Sequence, residues 1–301
     1  MEQEGRKNDK QAVVDMLNAD LRDEHAAVIQ YLQHAYAIGE GEEACEIEAI
    51  ARDEMRHYDW LCDAIVELGG DPPVERGVVD RSGTTIPEWM QIDVAAEERA
   101  IEQYREHLAA IDDIIGRQRD PALQRLIKRI IWDEESHRDQ FAHFVEKAER
   151  EGLTPPEPKA ATTGAGRVHA ILNEGVRHEY TVILQYLHHS FVMPECEISR
   201  ELEMQAINEM QHLGWLAEEL AEMGGTPDIE HTEIDRSQET PAMLRADIAA
   251  ERAVAADYAR QMTEIDDPDL KGLLDMIRKH EVYHAEVFED LLAKVEAEQA
   301  K

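Results

Sequence analysis

Cysteine is nearly missing from this chain of 301 residues: there are three, Cys45, Cys62 and Cys196. An odd number, not repeated in register, gives no disulfide framework, and a reducing cytoplasm is the default expectation. Long apolar runs are missing too. None approaches the ~18 residues that a membrane-spanning helix needs, and the opening MEQEGRKNDK has no apolar signal segment. Basic residues are scarce, with 31 Lys and Arg against 66 Asp and Glu, a formal net charge of −35. That balance excludes a nucleic-acid surface or an anionic membrane as the expected partner. No GxSxG or GxxxxGK occurs, so neither a nucleophile elbow nor a phosphate loop is on offer. Only 11 prolines and 16 glycines interrupt stretches rich in Ala, Glu, Leu, Ile and Arg, which predicts mostly helix.

What is present is repetition. Glu24, Gln30, Tyr31 and Leu32 recur 155 positions later as Glu179, Gln185, Tyr186 and Leu187. The same shift matches DEMRHYDWL with NEMQHLGWL, Gly69-Gly70 with Gly224-Gly225, and Asp80-Arg81-Ser82 with Asp235-Arg236-Ser237. Beyond a one-residue and then a seven-residue loss, Glu134 and His137 meet Glu281 and His284. A period this long is a duplicated domain rather than a solenoid repeat. The expected domains are 1–150 and 167–301, joined by a Pro/Gly/Thr-rich linker at 151–166. Each copy reads as four helices, roughly 9–38, 42–69, 86–116 and 120–150, then 165–192, 195–223, 239–265 and 268–298. The Gly-Gly pairs are expected C-caps, and Asp120-Pro121 and Asp267-Pro268 expected N-caps with proline at the first helical position. The connection between second and third helices is long enough to carry the chain along a four-helix bundle.

Four of the fourteen histidines follow a glutamate by three positions: Glu54/His57, Glu134/His137, Glu209/His212 and Glu281/His284. Chance in so acidic a chain gives roughly two such pairs, but not four in register. Residues three apart share a helix face. In the fourth helix the face runs Ile127, Ile130, Glu134, His137, Phe141, Phe144, which is the 3-4-3-4 spacing of a core stripe. The first helix places Glu24 and Tyr31 on such a stripe, and the third Glu97 and Tyr104; copy two repeats them as Glu179, Tyr186, Glu251 and Tyr258. Each core would then hold four glutamates and two histidines. Unpaired buried carboxylates are heavily penalised. Two divalent cations would neutralise them, and oxygen ligands with imidazole favour iron or manganese, with zinc as a further option. The competing explanation is a hydrogen-bonded network or a mis-phased helix whose charges face water. The strong negative charge has two readings of its own, a solvated shell suited to high salt or a field that gathers cations.

At these residues the chain resembles the ferritin-like di-iron superfamily, and bacterioferritin most closely, once in each copy. The resemblance implies an all-α chain of two tandem ferritin-like four-helix bundles forming an intramolecular pseudo-dimer, with further homo-oligomers an option. It implies metal ligands Glu24, Glu54, His57, Glu97, Glu134 and His137, and again Glu179, Glu209, His212, Glu251, Glu281 and His284. Glu54 with Glu134, and Glu209 with Glu281, would bridge; the others would be terminal. Tyr31 and Tyr186 become candidate redox or hydrogen-bonding groups, against the simpler role of core aromatics. Met55 and Met210 occupy the place where a bacterioferritin-like protein can hold haem, although methionine is a common core filler. Asp53 and Asn208 are expected outer partners of the ligands. A hollow storage shell is put in doubt because neither copy carries a short fifth helix.

The implied function is Fe(II) oxidation by oxygen or peroxide at a di-iron site in each repeat, serving iron handling or peroxide protection. The alternatives are another di-metal oxidoreductase (peroxidase, hydroxylase or manganese catalase-like) or a non-enzymatic iron buffer. For a hydroxylase, no organic pocket beside the metals can be placed from sequence.

Overall fold

The computed structural model describes residues 2–39, 41–115, 121–156, 165–193 and 196–299. These form eight helices: α1 (Glu2–Ile38), α2 (Glu42–Glu67), α3 (Ile86–Ile115), α4 (Pro121–Glu151), α5 (Ala165–Val192), α6 (Cys196–Glu222), α7 (Thr240–Gln261) and α8 (Pro268–Gln299). The chain divides into two compact units, Met1–Glu157 and Pro158–Lys301, each holding four helices. Most of the joint expected at 151–166 lies outside the described residues, as does the cap expected at Asp120.

Local chemistry sets the helix ends. Gly69 at φ 77° and Gly224 at φ 78° sit in the left-handed region that favours glycine. Gly70 N donates to Ile65 O and Gly69 N to Val66 O, each at 2.8 Å; Gly225 and Gly224 repeat the pattern onto Leu220 and Ala221. This is the Schellman closure, which satisfies carbonyls that a helix end leaves open. At the start of α8, Asp267 Oδ1 accepts from Asp269 N at 2.9 Å and Leu270 N at 3.2 Å. Two boundaries differ from the sequence reading. α1 begins at Glu2 rather than near residue 9, and α7 stops at Gln261 rather than 265. The shortened α7 follows from the seven-residue loss: Asp267 must leave helical geometry to cap α8, and Pro268 disfavours helix in the residue before it.

In the first unit α1 packs mainly against α2 and α3 against α4, with α1 against α3 and α2 against α4 closing the bundle. One apolar cluster joins Tyr31 and Ala35 of α1, Ile47, Ile50 and Ala51 of α2, Ile86 and Met90 of α3, and Phe141, Phe144 and Ala148 of α4. These positions follow Glu24 and His137 in sequence but precede Glu54 and Glu97. Helices α1 and α4 therefore run one way along the bundle, and α2 and α3 the other. Residues 68–85 join two helices of the same sense, the long crossover of a ferritin-like bundle. Every member of the α4 stripe from Ile127 to Ala148 is buried, and α8 matches it with Leu274, Ile277, Glu281, His284, Phe288 and Leu291. Among the described residues no helix is long and apolar enough to cross a membrane, and Cys45 and Cys62 are free thiols.

Candidate metal centres

Each of the six stripe positions in the first unit is at most 4% exposed: Glu24, Glu54, His57, Glu97, Glu134 and His137. They converge as two overlapping groups whose donor atoms lie within 4.8 Å of one another, Glu24/Glu54/His57/Glu134 and Glu54/Glu97/Glu134/His137. The second unit repeats this with Glu179/Glu209/His212/Glu281 and Glu209/Glu251/Glu281/His284. All twelve residues picked out in the sequence are thus brought together, six in each unit.

The two shared carboxylates divide their oxygens between the groups. Glu54 presents Oε2 to His57 Nδ1 and Oε1 to His137 Nδ1, both at 2.9 Å. Glu134 presents Oε1 to His57 at 3.0 Å and Oε2 to His137 at 3.4 Å. Glu209 and Glu281 do the same between His212 and His284, at 2.6 to 3.4 Å. Donor geometry is nonetheless incomplete. Glu54 Oε1, Glu97 Oε2, Glu134 Oε1 and His137 Nδ1 are buried without a hydrogen-bond partner, as are Glu179 Oε2, Glu209 Oε1, Glu251 Oε2, Glu281 Oε1 and His284 Nδ1. Buried oxygens whose close imidazole neighbours are poorly directed for hydrogen bonding are what a pair of dications would satisfy. The donor set fits two such ions in each unit: four carboxylates balance four positive charges, and neutral imidazoles complete the coordination.

Without cations, protons must do this work. Burial, reinforced by Glu134, pushes the Glu24 and Glu97 carboxyls well above the carboxylate range. Glu54 and Glu134 stay ionised: burial opposes this, but His137 and His57 outweigh it. Burial likewise opposes the imidazolium forms, yet the carboxylates hold His57 well above its usual range and His137 at about 10. In the second unit burial lifts Glu209 to about 7 and Glu251 to about 8, while the surrounding carboxylates overcome burial to hold His212 and His284 at about 12.

The tyrosines cross-brace the site. Tyr31 of α1 donates to Glu97 Oε1 of α3 at 2.6 Å, and Tyr104 of α3 donates to Glu24 of α1. Tyr186 and Tyr258 do the same onto Glu251 and Glu179. Each terminal glutamate is therefore oriented by a phenol on the opposite helix.

A second buried layer was not anticipated. Gln30 Nε2 donates to Asp93 Oδ1 at 2.8 Å, His34 Nδ1 lies 2.9 Å from the same oxygen, and Gln30 Oε1 accepts from Asp80 N in the crossover at 3.0 Å. Gln185, Asp247, His189 and Asp235 reproduce it. Asp80 and Asp235 then accept from Ser82 N and Ser237 N, which explains the repeated Asp-Arg-Ser. The signal was visible, since Gln-Tyr-Leu and Asp-x-Ala-Ala-Glu occur in both copies.

The outer partners of the histidines differ between units. In the first, Asp133 Oδ2 lies 3.6 Å from His57 Nε2, and Asp53 Oδ2 3.4 Å from His137 Nε2. Arg129 pairs with Asp133 at 2.8 Å and Arg56 pairs with Asp53. In the second, His212 Nε2 meets His280 Nδ1 at 2.9 Å. Asn208 does not serve as expected: it is exposed, and its Nδ2 donates to Gln205 Oε1 at 3.0 Å. Its side chain turns along α6 to a neighbour three residues back. Met55 and Met210 are half-buried on α2 and α6.

Comparison with known proteins settles the family. The family model of the ferritin-like domain matches residues 14–151 and again 169–297. The chain belongs to the ferritin-like family. As a tandem ferritin-like protein it is similar to the bacterioferritin of Desulfovibrio desulfuricans, 32% identical over 137 residues, which cover 44% of this chain and 74% of that protein. A bacterioferritin of Rhodobacter capsulatus is 30% identical over 135 residues, 42% of this chain and 78% of that protein. An X-ray structure of the D. desulfuricans bacterioferritin, with its diiron site in different catalytic states, aligns at a TM-score of 0.45 and 29% identity over 53% of this chain and 97% of that one.

Proposed function

We propose that each ferritin-like unit binds two Fe(II) ions as substrate and passes one electron from each to oxygen or peroxide. The observation that carries this reading is the division of oxygens at Glu54/Glu134 and Glu209/Glu281, one to each half of a dinuclear pocket. A mononuclear site has no use for two carboxylates shared in this way. Similarity to bacterioferritins supports the same reading.

With oxygen, two Fe(II), O2 and two protons give two Fe(III) and H2O2; with peroxide, two Fe(II), H2O2 and two protons give two Fe(III) and two waters. Glu24 with His57, and Glu97 with His137, would hold the outer sides of the pair, and Glu179 with His212, and Glu251 with His284, in the second unit. Apolar residues of α1 to α4 cover the side of the pocket beyond Tyr31 and Phe141. Tyr31 and Tyr186 are assigned as electron donors of last resort. Burial, then the charge of Glu97, raises the Tyr31 pKa strongly, so the phenol keeps its proton until oxidised. Where only one Fe(II) is bound, peroxide would take its second electron from Tyr31, whose phenolic proton would pass to Glu97 Oε1, to which it is already bonded. The reading places the protein in a reducing compartment such as the cytoplasm, where Fe(II) persists, and keeps manganese as the alternative metal.

The test is anaerobic loading with Fe(II) followed by rapid mixing with oxygen or peroxide. A fast visible absorbance rise, saturating at two irons per unit, is expected. Oxidation no faster than Fe(II) in buffer contradicts the proposal.

A further inference from the structure

Four positions behind the candidate ligands carry a formal charge in the first unit and none in the second. Asp53, Arg56, Arg129 and Asp133 stand where the duplication places Asn208, Gln211, Met276 and His280. The six candidate ligands of each unit are the same residue types, so the replacements are confined to what supports them.

In both units the imidazoles present Nδ1 to the shared glutamates. In the first, each Nε2 faces a carboxylate: His57 has Asp133 Oδ2 at 3.6 Å, and His137 has Asp53 Oδ2 at 3.4 Å. A carboxylate in this place fixes the imidazole tautomer and makes the inner nitrogen a stronger donor to a cation. The paired arginines do not cancel it. Arg129 and Arg56 are 58% and 62% exposed, so water screens them, whereas Asp133 is 14% exposed. In the second unit His212 Nε2 meets His280 Nδ1 at 2.9 Å. With Nδ1 of His212 committed to the pocket, Nε2 carries the proton, and the acceptor is a neutral imidazole nitrogen. His280 therefore orients the ring without bringing negative charge. Asn208 turns to Gln205 and supports neither ring. Among the described residues, the carboxylates paired with His212 and His284 are those of the pocket itself, Glu179, Glu209, Glu251 and Glu281.

We propose that the two pockets are unequal: Asp133 and Asp53 give the first unit the tighter pair of cations, and His280 and Asn208 leave the second a weaker pair that exchanges more readily. The inference deepens the dinuclear reading above and rests on it. Asp133, Asp53 and His280 are positioning residues that act through the imidazoles. Support of this kind is worth about 10–100-fold in affinity. Limiting metal then fills the first unit first, and the second holds the ions available for release.

The test is anaerobic titration of the full chain with Mn(II), read by competition with a chelator and by anomalous diffraction at the manganese edge. Two classes of site about 10–100-fold apart are expected. Crystals loaded with two ions per chain should show density beside Glu54 and Glu134 and little beside Glu209 and Glu281. His280→Asp, a change at an exposed position, should tighten the weaker class, a gain that damage to the bundle does not produce. Asp133→His should weaken the tighter class and bring the two together. Equal filling at limiting metal, or filling of the second unit first, overturns the inference and leaves the function standing. Two classes that neither variant shifts also overturn it. Pockets that stay empty in both units at saturating Mn(II) and Fe(II) defeat the dinuclear reading, and the inference with it.

Discussion

Loading a unit with cations should expel a large, countable number of protons. In the first unit burial raises the Glu24 and Glu97 carboxyls, and the surrounding carboxylates raise His57 and hold His137 at about 10, so these four candidate ligands all favour their protonated forms in the metal-free state. Two ionised carboxylates and two imidazolium rings sum to zero charge, as do four carboxylates with two dications. Exchanging the fully protonated state for the metal-bound one would release four protons, two per ion. In the second unit, imidazoles held at about 12 and Glu251 at about 8 contribute three protons at pH 7, and Glu209 at about 7 contributes half of one. The whole chain should release several protons, well above the roughly one that groups of ordinary acidity would supply. The affinity for cations in the first unit should rise with pH, by about a hundredfold per pH unit for an ion that displaces two protons. The assay is anaerobic titration with Fe(II) or Zn(II) in weakly buffered solution, with proton release followed by an indicator. Groups of ordinary acidity would release only roughly half a proton per unit, from two imidazoles each a quarter charged at pH 7. A count near that lower figure refutes the reasoning. The stability of the metal-free protein carries the same sign. Its folded state binds more protons than the unfolded chain, so stability falls as pH rises. For His137 the contribution is complete below about 6.5 and lost as pH passes about 10. Each such proton is worth about 1.4 kcal/mol per pH unit, and bound cations should flatten the dependence.

Three further outcomes follow from the geometry. Glu54→Ala removes a ligand from both halves of the pocket and should abolish tight binding of both ions in that unit, whereas Glu24→Ala should spare the ion beside Glu97 and His137; metal analysis of the purified variants separates the two. Asp133→Asn should remove the anionic support of His57 and weaken metal binding in the first unit about 10–100-fold, with the second unit unchanged, as measured by competition with a chelator. Tyr31→Phe should leave cation stoichiometry intact, cost about 1–3 kcal/mol of stability through the lost bond to buried Glu97, and slow oxidation by peroxide severalfold in stopped-flow traces.

The bundles and the convergence of their candidate ligands were legible because one helix period carries both core and site. Ile127, Ile130, Glu134, His137 and Phe141 fall on one stripe, so a charged pair between apolar neighbours marks itself as buried. The duplication then separated Glu24 and Glu97 from the many other glutamates, and the Gly-Gly pairs announced their closures. What depends on contact between helices was not legible. Spacing placed Tyr31 on the face of Glu24, yet its hydroxyl crosses to Glu97. Asp133 sits beside Glu134 but off the stripe, and only the approach of α2 makes it a neighbour of His57. Asn208 was chosen by sequence proximity, which says nothing about where an amide turns. A cavity beside Glu24 depends on the path of the crossover, which has no periodic pattern to read.

Paired dications binding among them would make the buried carboxylates and imidazoles tolerable here. Diffraction at the iron edge from crystals loaded anaerobically with Fe(II) tests it most directly. Two iron peaks are expected in each unit, on either side of Glu54 and Glu134, or of Glu209 and Glu281. A single peak per unit, or pockets that stay empty at saturating Fe(II), would contradict it.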